Sequence, residues 1–578
     1  MKKEFLKLAA ASLLAAGLTS PAFAVLVTWD NSSTDGKWGT LTNWSNDALP
    51  TSSDDVVFDN TNVAGSYTVA LDGATAGSVK TIKIGYAGNV NTIILAVSST
   101  AAAPTLAIAG DLATTDDFVI DQGGRFENTK ASGAAITTMA SPNLTFRCKS
   151  GGYLLHNSAG SYGTPWSAAG TTWDSGSTIE FAQSAGTAVT LSGRTYANIV
   201  LSATSAKIDT ASGGSATAIN GDLTIGPNVT FNPSMGSTFT IAGNIISNGS
   251  GGAITTSLAG GPTFIGNTTL SGAGTPLTWT NGLTVNSAST LTIGTGAAAS
   301  VVVPSAKTLQ VNGTLNCNGN PISGTGGIVA VASTGTLGIQ HAGGIDGQIT
   351  TTGANNFANG TYVYNGSVAQ VTGASLPINV SALTINNAAG VTLSGNVAAV
   401  ALTLTSGELA AGANALIGTT VTRTSGFVTG TLTRTVDATI AGARVFDVGT
   451  AGKYTPLTVD ITGAGAGNGT ISVSSAAAQS VSEPAGVTGV NRVWTISQSA
   501  LSGFTASLIF KYDDADMDGG LNEANLAAFR YNGVTWDPYV GSNSPAANTV
   551  TATGVMAFSP WEVWDATTAV AGWKQITD

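Results

Sequence analysis

The middle of this chain, from Leu201 to Ile440, almost lacks charged side chains. Its Thr, Val, Ile and Leu occur in short runs punctuated by Gly and Asn. The nine charged residues of this segment are Lys207, Asp209, Asp222, Lys307, Asp346, Glu408, Arg423, Arg434 and Asp437. Such a segment can form stacked β-strands, but it lacks the side chains for an active site built from several carboxylates. The sequence therefore predicts an architectural role for it.

Many of the short runs place a Thr between two apolar residues. This alternation gives a strand one buried face and one face in contact with water. Clear examples are Leu223-Thr224-Ile225, Leu283-Thr284-Val285, Leu291-Thr292-Ile293, Leu383-Thr384-Ile385 and Leu402-Thr403-Leu404. Turn formers separate the strands at Asn220-Gly221, Asn281-Gly282 and Asn312-Gly313. Because no window has a capped, amphipathic helical period, we predict an all-β protein.

Two architectures fit many short strands with frequent turns: tandem antiparallel sandwiches and a parallel β-solenoid. The solenoid is favoured because Thr, Ser and Asn can stack from coil to coil without charge. Leu383 and Leu402 are 19 residues apart, which is about one coil. We predict a β-solenoid (β-helix) body over residues 61–440.

The two ends of the chain differ from the body in their aromatic content. Trp29, Trp38 and Trp44 crowd residues 25–60, which we predict to form an N-terminal cap on the solenoid. Residues 441–578 are richer in aromatic and charged side chains, with turn signals at Asn468-Gly469 and Asn532-Gly533. We predict an antiparallel β-sandwich there. The tryptophans could stack on sugars, but burial is their more usual use.

The first 24 residues have the pattern of a cleaved signal peptide. Lys2, Lys3 and Lys7 precede a short apolar core from Leu8 to Leu18, and Ala22-Phe23-Ala24 supplies small residues for cleavage. No later window has the roughly 18 apolar residues of a membrane span. We predict export of a mature chain to the exterior or surface of a bacterium, with the periplasm as an alternative.

Charge limits the partners of the chain. The net charge is −11, with only 21 Lys and Arg residues in 578, so no basic face is available for nucleic acid or anionic lipid. Export permits a disulfide between Cys148 and Cys317, but sequence alone leaves their pairing open.

The best metal candidate is the acidic segment that begins at Asp513. Asp514, Asp516 and Asp518 alternate and Gly519 follows, as in the first half of a calcium-binding loop. The bidentate Glu expected later in such a loop is Asn525. Calcium is the one cofactor that the sequence suggests, and the competing interpretation is a solvated acidic hairpin loop.

A second group of charged residues bears on enzymatic activity. Asp111, Asp116, Asp117, Asp121 and Glu127 lie close together in sequence, with Arg125 and Lys130 among them. Such residues on one solenoid face could form a polysaccharide-degrading lyase or hydrolase. His156 and His341 lie at no metal-ligand spacing, and no G-x-S-x-G motif is present. We predict no enzymatic activity, with the polysaccharide-degrading enzyme as the alternative.

Several phrases of the chain resemble those of large bacterial secreted and autotransporter-like β-helix surface proteins, most of them adhesin-like and uncharacterised. The phrases are Trp29-Asp30, Gly36-Lys37-Trp38, Asn43-Trp44, Asp54-Asp55-Val56-Val57-Phe58, Gly176-Ser177-Thr178-Ile179-Glu180-Phe181, Leu383-Thr384-Ile385-Asn386-Asn387, Leu402-Thr403-Leu404-Thr405-Ser406-Gly407, Thr422-Arg423-Thr424-Ser425-Gly426-Phe427-Val428 and Phe558-Ser559-Pro560-Trp561. The resemblance implies a place at the cell exterior. We expect a structural or adhesin-like protein that acts through an extended, charge-poor face. Its expected partners are copies of itself or a glycan or other cell-envelope component.

Overall fold

The computed structural model describes residues 24–71, 76–98, 105–111, 116–130, 135–138, 144–158, 170–183, 191, 193–209, 212–256, 261–477, 484 and 486–568. The predicted signal peptide lies outside these residues except for Ala24, so its cleavage stays a prediction. The structure is nearly all β, with a parallel β-solenoid of about 15 turns and antiparallel sheets near the C-terminus. Both parts of the predicted fold class are thereby confirmed, and the tandem-sandwich alternative for the body is excluded.

The chain divides into two compact units. The first comprises residues up to 262 together with 271–277 and 296–298, and the second comprises the rest. The division between the units falls within residues 262–299, so it does not test the predicted domain limits at residues 60 and 440. Those limits stay predictions.

Parallel strands form each coil of the first unit. The first sheet contains Leu26–Thr28, Asp55–Phe58, Thr81–Ile84, Phe118–Ile120, Phe146–Cys148 and Thr171–Trp173. The second contains Tyr67–Leu71, Ile93–Val97, Gly124–Asn128, Tyr153–His156, Thr178–Phe181, Asn198–Leu201, Leu223–Ile225 and Ile245–Ser247. The remaining strands are shorter. One set contains Gly77–Val79, Leu106–Ile108 and Ile136–Thr138, and a second contains Thr195–Tyr196, Thr217–Ile219 and Phe239–Ile241. A third set contains Lys207–Asp209 and Val229–Phe231, and a fourth contains Ser212–Gly213, Ser234–Met235 and Gly252–Thr256. A 3₁₀ turn spans Leu41–Asn43.

The second unit continues in the same manner. Its longest sheet contains Asn267–Ser271, Thr290–Ile293, Thr314–Asn316, Thr336–Ile339, Thr361–Tyr364, Asn379–Asn386, Val397–Ser406 and Leu416–Arg423. A second sheet contains Thr263–Phe264, Leu283–Val285, Thr308–Val311, Ile328–Val331 and Asn356–Phe357. A third contains Leu277–Trp279, Val301–Val302 and Ile322–Ser323. A fourth contains Gln370–Val371, Val391–Thr392, Glu408–Ala410, Phe427–Thr429, Val448–Thr450 and Lys453–Tyr454. A short helix spans Gly344–Gln348.

The core of the second unit is a stack of apolar side chains that repeats from coil to coil. Equivalent inward positions on successive strands are Leu291, Leu315, Leu337, Tyr362, Leu383 and Leu402. Each side chain of this stack is at most 1% exposed. Burial of such a side chain contributes about 1.5–3 kcal/mol, so the stack is a principal source of stability. The pairing of Leu383 with Leu402 confirms the 19-residue coil read from the sequence.

Coil length is not constant along the chain. The hydrogen bond from Thr81 to Asp55 spans 26 residues, the one from Asn244 to Asp222 spans 22, and the one from Ala415 to Asn396 spans 19. Neighbouring coils approach closely at several glycines. Gly407 has a φ of +78°, and a Cβ there would lie 1.8 Å from the carbonyl oxygen of Asn387. Only glycine fits that position.

Two antiparallel sheets follow the solenoid and face each other. One contains Leu432–Asp437, Asn468–Ala476, Gly489–Ser499, Pro560–Asp565, Leu526–Tyr531 and Trp536–Pro538. The other contains Gly442–Phe446, Leu457–Gly463, Thr505–Lys511, Thr549–Val555 and Gly541–Ser544. Phe510 of the second sheet packs between Trp494 and Trp561 of the first, with ring centroids 5.3 and 5.5 Å away. Short 3₁₀ turns span Asp514–Asp516, Glu523–Asn525, Pro545–Ala547 and Ala566–Thr568.

The N-terminal tryptophans form a buried cluster on the first coil. The ring centroid of Trp44 lies 4.9 Å from that of Trp29 and 4.8 Å from that of Trp38, and Phe58 packs beside all three. Each tryptophan is at most 1% exposed, so none offers a ring face to a sugar. The N-terminal cap over residues 25–60 stays a prediction. Trp166 and Trp573 lie outside the described residues.

Both cysteines are buried and carry free thiols in the structure, and burial raises the pKa of each thiol. In the part of the chain that is described, no helix is long and apolar enough to cross a bilayer.

Candidate functional site

The acidic cluster read from the sequence divides between two faces of the first unit. Asp116, Asp117 and Asp121 flank the strand Phe118–Ile120 of the first sheet, whereas Arg125 and Glu127 lie on the second sheet. The acidic residues around the first sheet are held by basic neighbours. Lys80 lies 3.6 Å from Asp111, Arg147 lies 3.7 Å from Asp116, and Lys83 and Lys149 each lie 3.2 Å from Asp121.

Asp117 and Asp121 serve the packing of the coil. Asp117 is buried and accepts hydrogen bonds from the backbone N–H of Asp111 (2.7 Å) and from the backbone and hydroxyl of Thr145 (2.8 and 3.1 Å). Burial alone would raise the pKa of Asp121, but hydrogen bonds from Gln122, Lys83 and Lys149 hold it below its ordinary value. Lys130 is buried as well, and burial lowers its pKa.

Arg125 and Glu127 belong to a different polar network, which the sequence did not reveal. Arg125 donates to Glu127 at 2.5 Å and lies 3.9 Å from Glu180, two coils further on. The hydroxyls of Tyr153 and Ser202 each donate to one Glu180 oxygen at 2.5 Å. The Arg125 guanidinium also lies over the Tyr153 ring, 4.3 Å from its centroid. The network is a preformed set of donors and acceptors suited to recognition of a polar ligand.

This network borders a groove on the outer side of the second sheet. The groove has a volume of about 410 Å³. It is lined by Arg125, Leu155, Asn157, Glu180, Ala182, Gln183, Ser202, Ala203, Thr204, Ser205 and Lys207. The coil register brings these residues together: Leu155 pairs with both Glu127 and Glu180 on its two neighbouring strands. Their sequence separation varies with coil length, so spacing alone could not have identified them.

Lys207 and Asp209 form a buried ion pair beside the groove. The Lys207 ammonium lies 3.0 Å from an Asp209 carboxylate oxygen and donates to the carbonyl of Phe181 at 3.0 Å. Lys207 is 3% exposed and Asp209 is 0% exposed, whereas Ile208 between them points to solvent. Burial raises the pKa of Asp209. The pair therefore replaces apolar side chains in the interior of the coil.

The two histidines have local hydrogen-bond partners. His156 is buried, with its Nδ1 3.3 Å from the side-chain amide of Asn128. The Nδ1 of His341 accepts a hydrogen bond from the backbone N–H of Gly343 at 3.0 Å. Within the described residues, these contacts give each ring a structural role.

The carboxylates of the acidic loop have separate protein partners. Asp516 pairs with the fully buried Arg492 and with Lys453. Asp518 accepts from the backbone of Gly489 (2.9 Å) and the amide of Asn491 (2.8 Å), while Asp514 accepts from Asn548. Among the described residues, no group of three His, Cys, Asp or Glu side chains could hold a metal ion. Calcium at Asp514, Asp516 and Asp518 stays a prediction, and the visible role of Asp516 is structural.

The second unit presents an uncharged surface, which we call the threonine face. It consists of two in-register rows on the outer side of five successive strands. The first row is wholly polar and contains Asn267, Thr290, Thr314, Thr336 and Thr361. The second row contains Thr269, Thr292 and Asn316 and ends in Gly338 and Val363, which carry no polar side chain. Parallel strands lie about 4.8 Å apart, so the four threonine hydroxyls of the first row recur at that spacing. Neither row contains a charged side chain.

Comparison of the chain with protein-family models, with curated proteins and with solved structures gives no match.

Proposed function

We propose that this chain is an exported, non-enzymatic contact protein of the bacterial cell surface, structural or adhesin-like, which acts through the threonine face. The observation that carries the proposal is the pair of uncharged, in-register rows on a stack of parallel strands. A long array held by a continuous apolar core is rigid, so it can meet a partner without ordering itself first.

Charge decides which partners suit such a surface. Two charge-poor faces can approach each other without strong repulsion, which favours layers or filaments of the same chain. A neutral glycan of the cell envelope also suits a face of hydroxyls and amides, because each can donate and accept hydrogen bonds. The pattern of the first 24 residues and the resemblance to secreted β-helix proteins support an extracellular place for either contact.

Electron microscopy of the purified mature chain distinguishes the two contacts. Ordered layers or filaments would indicate self-assembly, and monodisperse particles that adhere to isolated cell envelopes would indicate adhesion. Monodisperse particles without adhesion would contradict the proposal. Fractionation of cells that produce the full chain tests export, because recovery of the uncleaved chain in the cytoplasm would contradict it.

The alternative function, a polysaccharide-degrading lyase or hydrolase, has one observation in its favour. Glu127 and Glu180 flank Leu155 on its two neighbouring strands, with Arg125 beside both, and Glu180 lines the groove. A turnover screen on acidic and neutral polysaccharides tests this alternative. Cleavage that disappears in Glu127→Gln and Glu180→Gln would establish the enzyme and overturn the contact function as the main activity.

A further inference from the structure

The groove of the first unit combines a concave shape with a mixed lining. Its volume of about 410 Å³ lies within the roughly 300–1,000 Å³ typical of small-molecule sites. Leu155, Ala182 and Ala203 supply apolar patches between polar side chains. An amphipathic ligand with polar edges and apolar faces fits such a lining.

The polar groups on one side of the groove are already fixed in position. Both oxygens of Glu180 receive hydroxyl hydrogen bonds, from Tyr153 and Ser202, and Arg125 bonds Glu127. A carboxylate has about four acceptor sites, so Glu180 can accept further hydrogen bonds without losing these partners. The site needs little reorganisation to bind a hydrogen-bond donor.

Gln183 provides a second, independent sign of a ligand. Its side chain is 2% exposed and lines the groove. Its Oε1 is buried and receives no hydrogen bond from the described residues. A buried acceptor without a donor costs about 1–3 kcal/mol, and rotation of the Gln183 amide toward a ligand hydroxyl in the groove would remove that cost.

We propose that the groove binds a neutral, hydroxyl-rich sugar unit of a glycan. The charges at the groove offset one another, because Arg125 lies 3.9 Å from Glu180 and Lys207 is paired with the buried Asp209. A neutral sugar fits such a lining better than a ligand with net charge. Its hydroxyls donate to Gln183 and Glu180, and the C–H face of its ring packs on Leu155. This inference rests on the proposed extracellular function and names the class of partner that the first unit recognises.

Isothermal titration calorimetry with neutral gluco-, manno- and galacto-oligosaccharides, and with acidic oligogalacturonate, tests the site in the mature chain. We expect a neutral oligosaccharide to bind, and Gln183→Leu to weaken that binding by roughly tenfold or more. The matched control, Gln310→Leu, makes the same change on a strand of the second unit and should leave binding unchanged. Ala203→Leu, which fills the groove from its partly exposed side, should weaken binding as well.

Absence of binding to every neutral oligosaccharide, or preference for the acidic one, would overturn the proposal. So would unchanged binding in Gln183→Leu and Ala203→Leu with an unchanged melting temperature, or release of cleaved products. Assembly or envelope adhesion should be the same in Gln183→Leu as in the parent chain, because these contacts are assigned to the threonine face. Loss of sugar binding and loss of surface contact are thus measured separately.

Discussion

Lys207 and Asp209 occupy interior positions that the next coil gives to Val229 and Phe231. Desolvation of two charges costs several kcal/mol each, and their mutual attraction offsets only part of that cost. We predict that Lys207→Met alone destabilises the chain by about 3–5 kcal/mol, because Asp209 would remain buried without its partner. The double variant Lys207→Met/Asp209→Leu should unfold at or above the temperature of the parent chain. A double variant less stable than Lys207→Met would contradict this view of the pair.

The raised pKa of Asp209 also implies that the stability of the chain depends on pH. The folded chain keeps the carboxyl protonated to a higher pH than the unfolded chain does. The resulting stabilisation is complete below the ordinary pKa of 3.8 and is lost as pH rises through the higher folded-state pKa. We expect the melting temperature of the parent chain, relative to that of Asp209→Asn, to fall as pH rises through that range. A relative melting temperature that rises with pH would contradict the assignment.

The stacked leucines make the strands of the second unit dependent on one another. Leu337 is 0% exposed between Leu315 and Tyr362, whereas Thr336 beside it faces outward. We predict that Leu337→Ala costs about 2–5 kcal/mol of stability, and that Thr336→Ala changes it by about 0.5 kcal/mol or less. Chemical denaturation of both variants measures the contrast. Similar losses in both would show that the outer row contributes as much as the inner stack, which would contradict this prediction.

The acidic loop of the sandwich is an element whose role can be decided with calcium. Arg492, Lys453 and Asp516 already form an ion-paired group there. We predict that Asp516→Asn lowers the melting temperature because it leaves Arg492 buried with a weaker partner. Calcium distinguishes the two interpretations of this loop, because a solvated structural loop leaves the melting temperature of the parent chain unchanged in millimolar calcium. A rise with calcium that disappears in Asp514→Asn would instead establish the predicted metal site.

The sequence predicts which segments alternate as strands, but it does not always predict which side chains of a strand face the core. Leu383-Thr384-Ile385 and Leu402-Thr403-Leu404 predict both strands and their register, because apolar residues alternate with Thr. Lys207-Ile208-Asp209 alternates as well, yet the structure turns the charges inward and Ile208 outward. Pairing with Val229–Phe231 fixes that orientation, and such a contact across coils is absent from a local pattern.

The charge-poor middle of the chain predicts the solenoid, whereas the groove depends on the number of residues in each coil. Arg125, Tyr153 and Glu180 meet because each coil returns the chain to the same sheet after an irregular number of residues. The lengths of the loops between strands set the number of residues in each coil. The acidic group near Asp117 looked like one site in sequence, but a corner of the coil separates its members between two sheets.

We propose that the threonine face makes the surface contact. Thr314→Lys/Thr361→Lys on this face is compared with Thr278→Lys/Ser323→Lys on another sheet, using whichever of assembly or envelope adhesion the parent chain shows. Both double variants place two Lys residues at outward hydroxyl positions of the second unit, with one strand between them. We predict that the first pair abolishes the contact at an unchanged melting temperature, because its ammonium groups would lose hydration on contact. An equal loss in both pairs, or no loss in the first, would contradict this prediction.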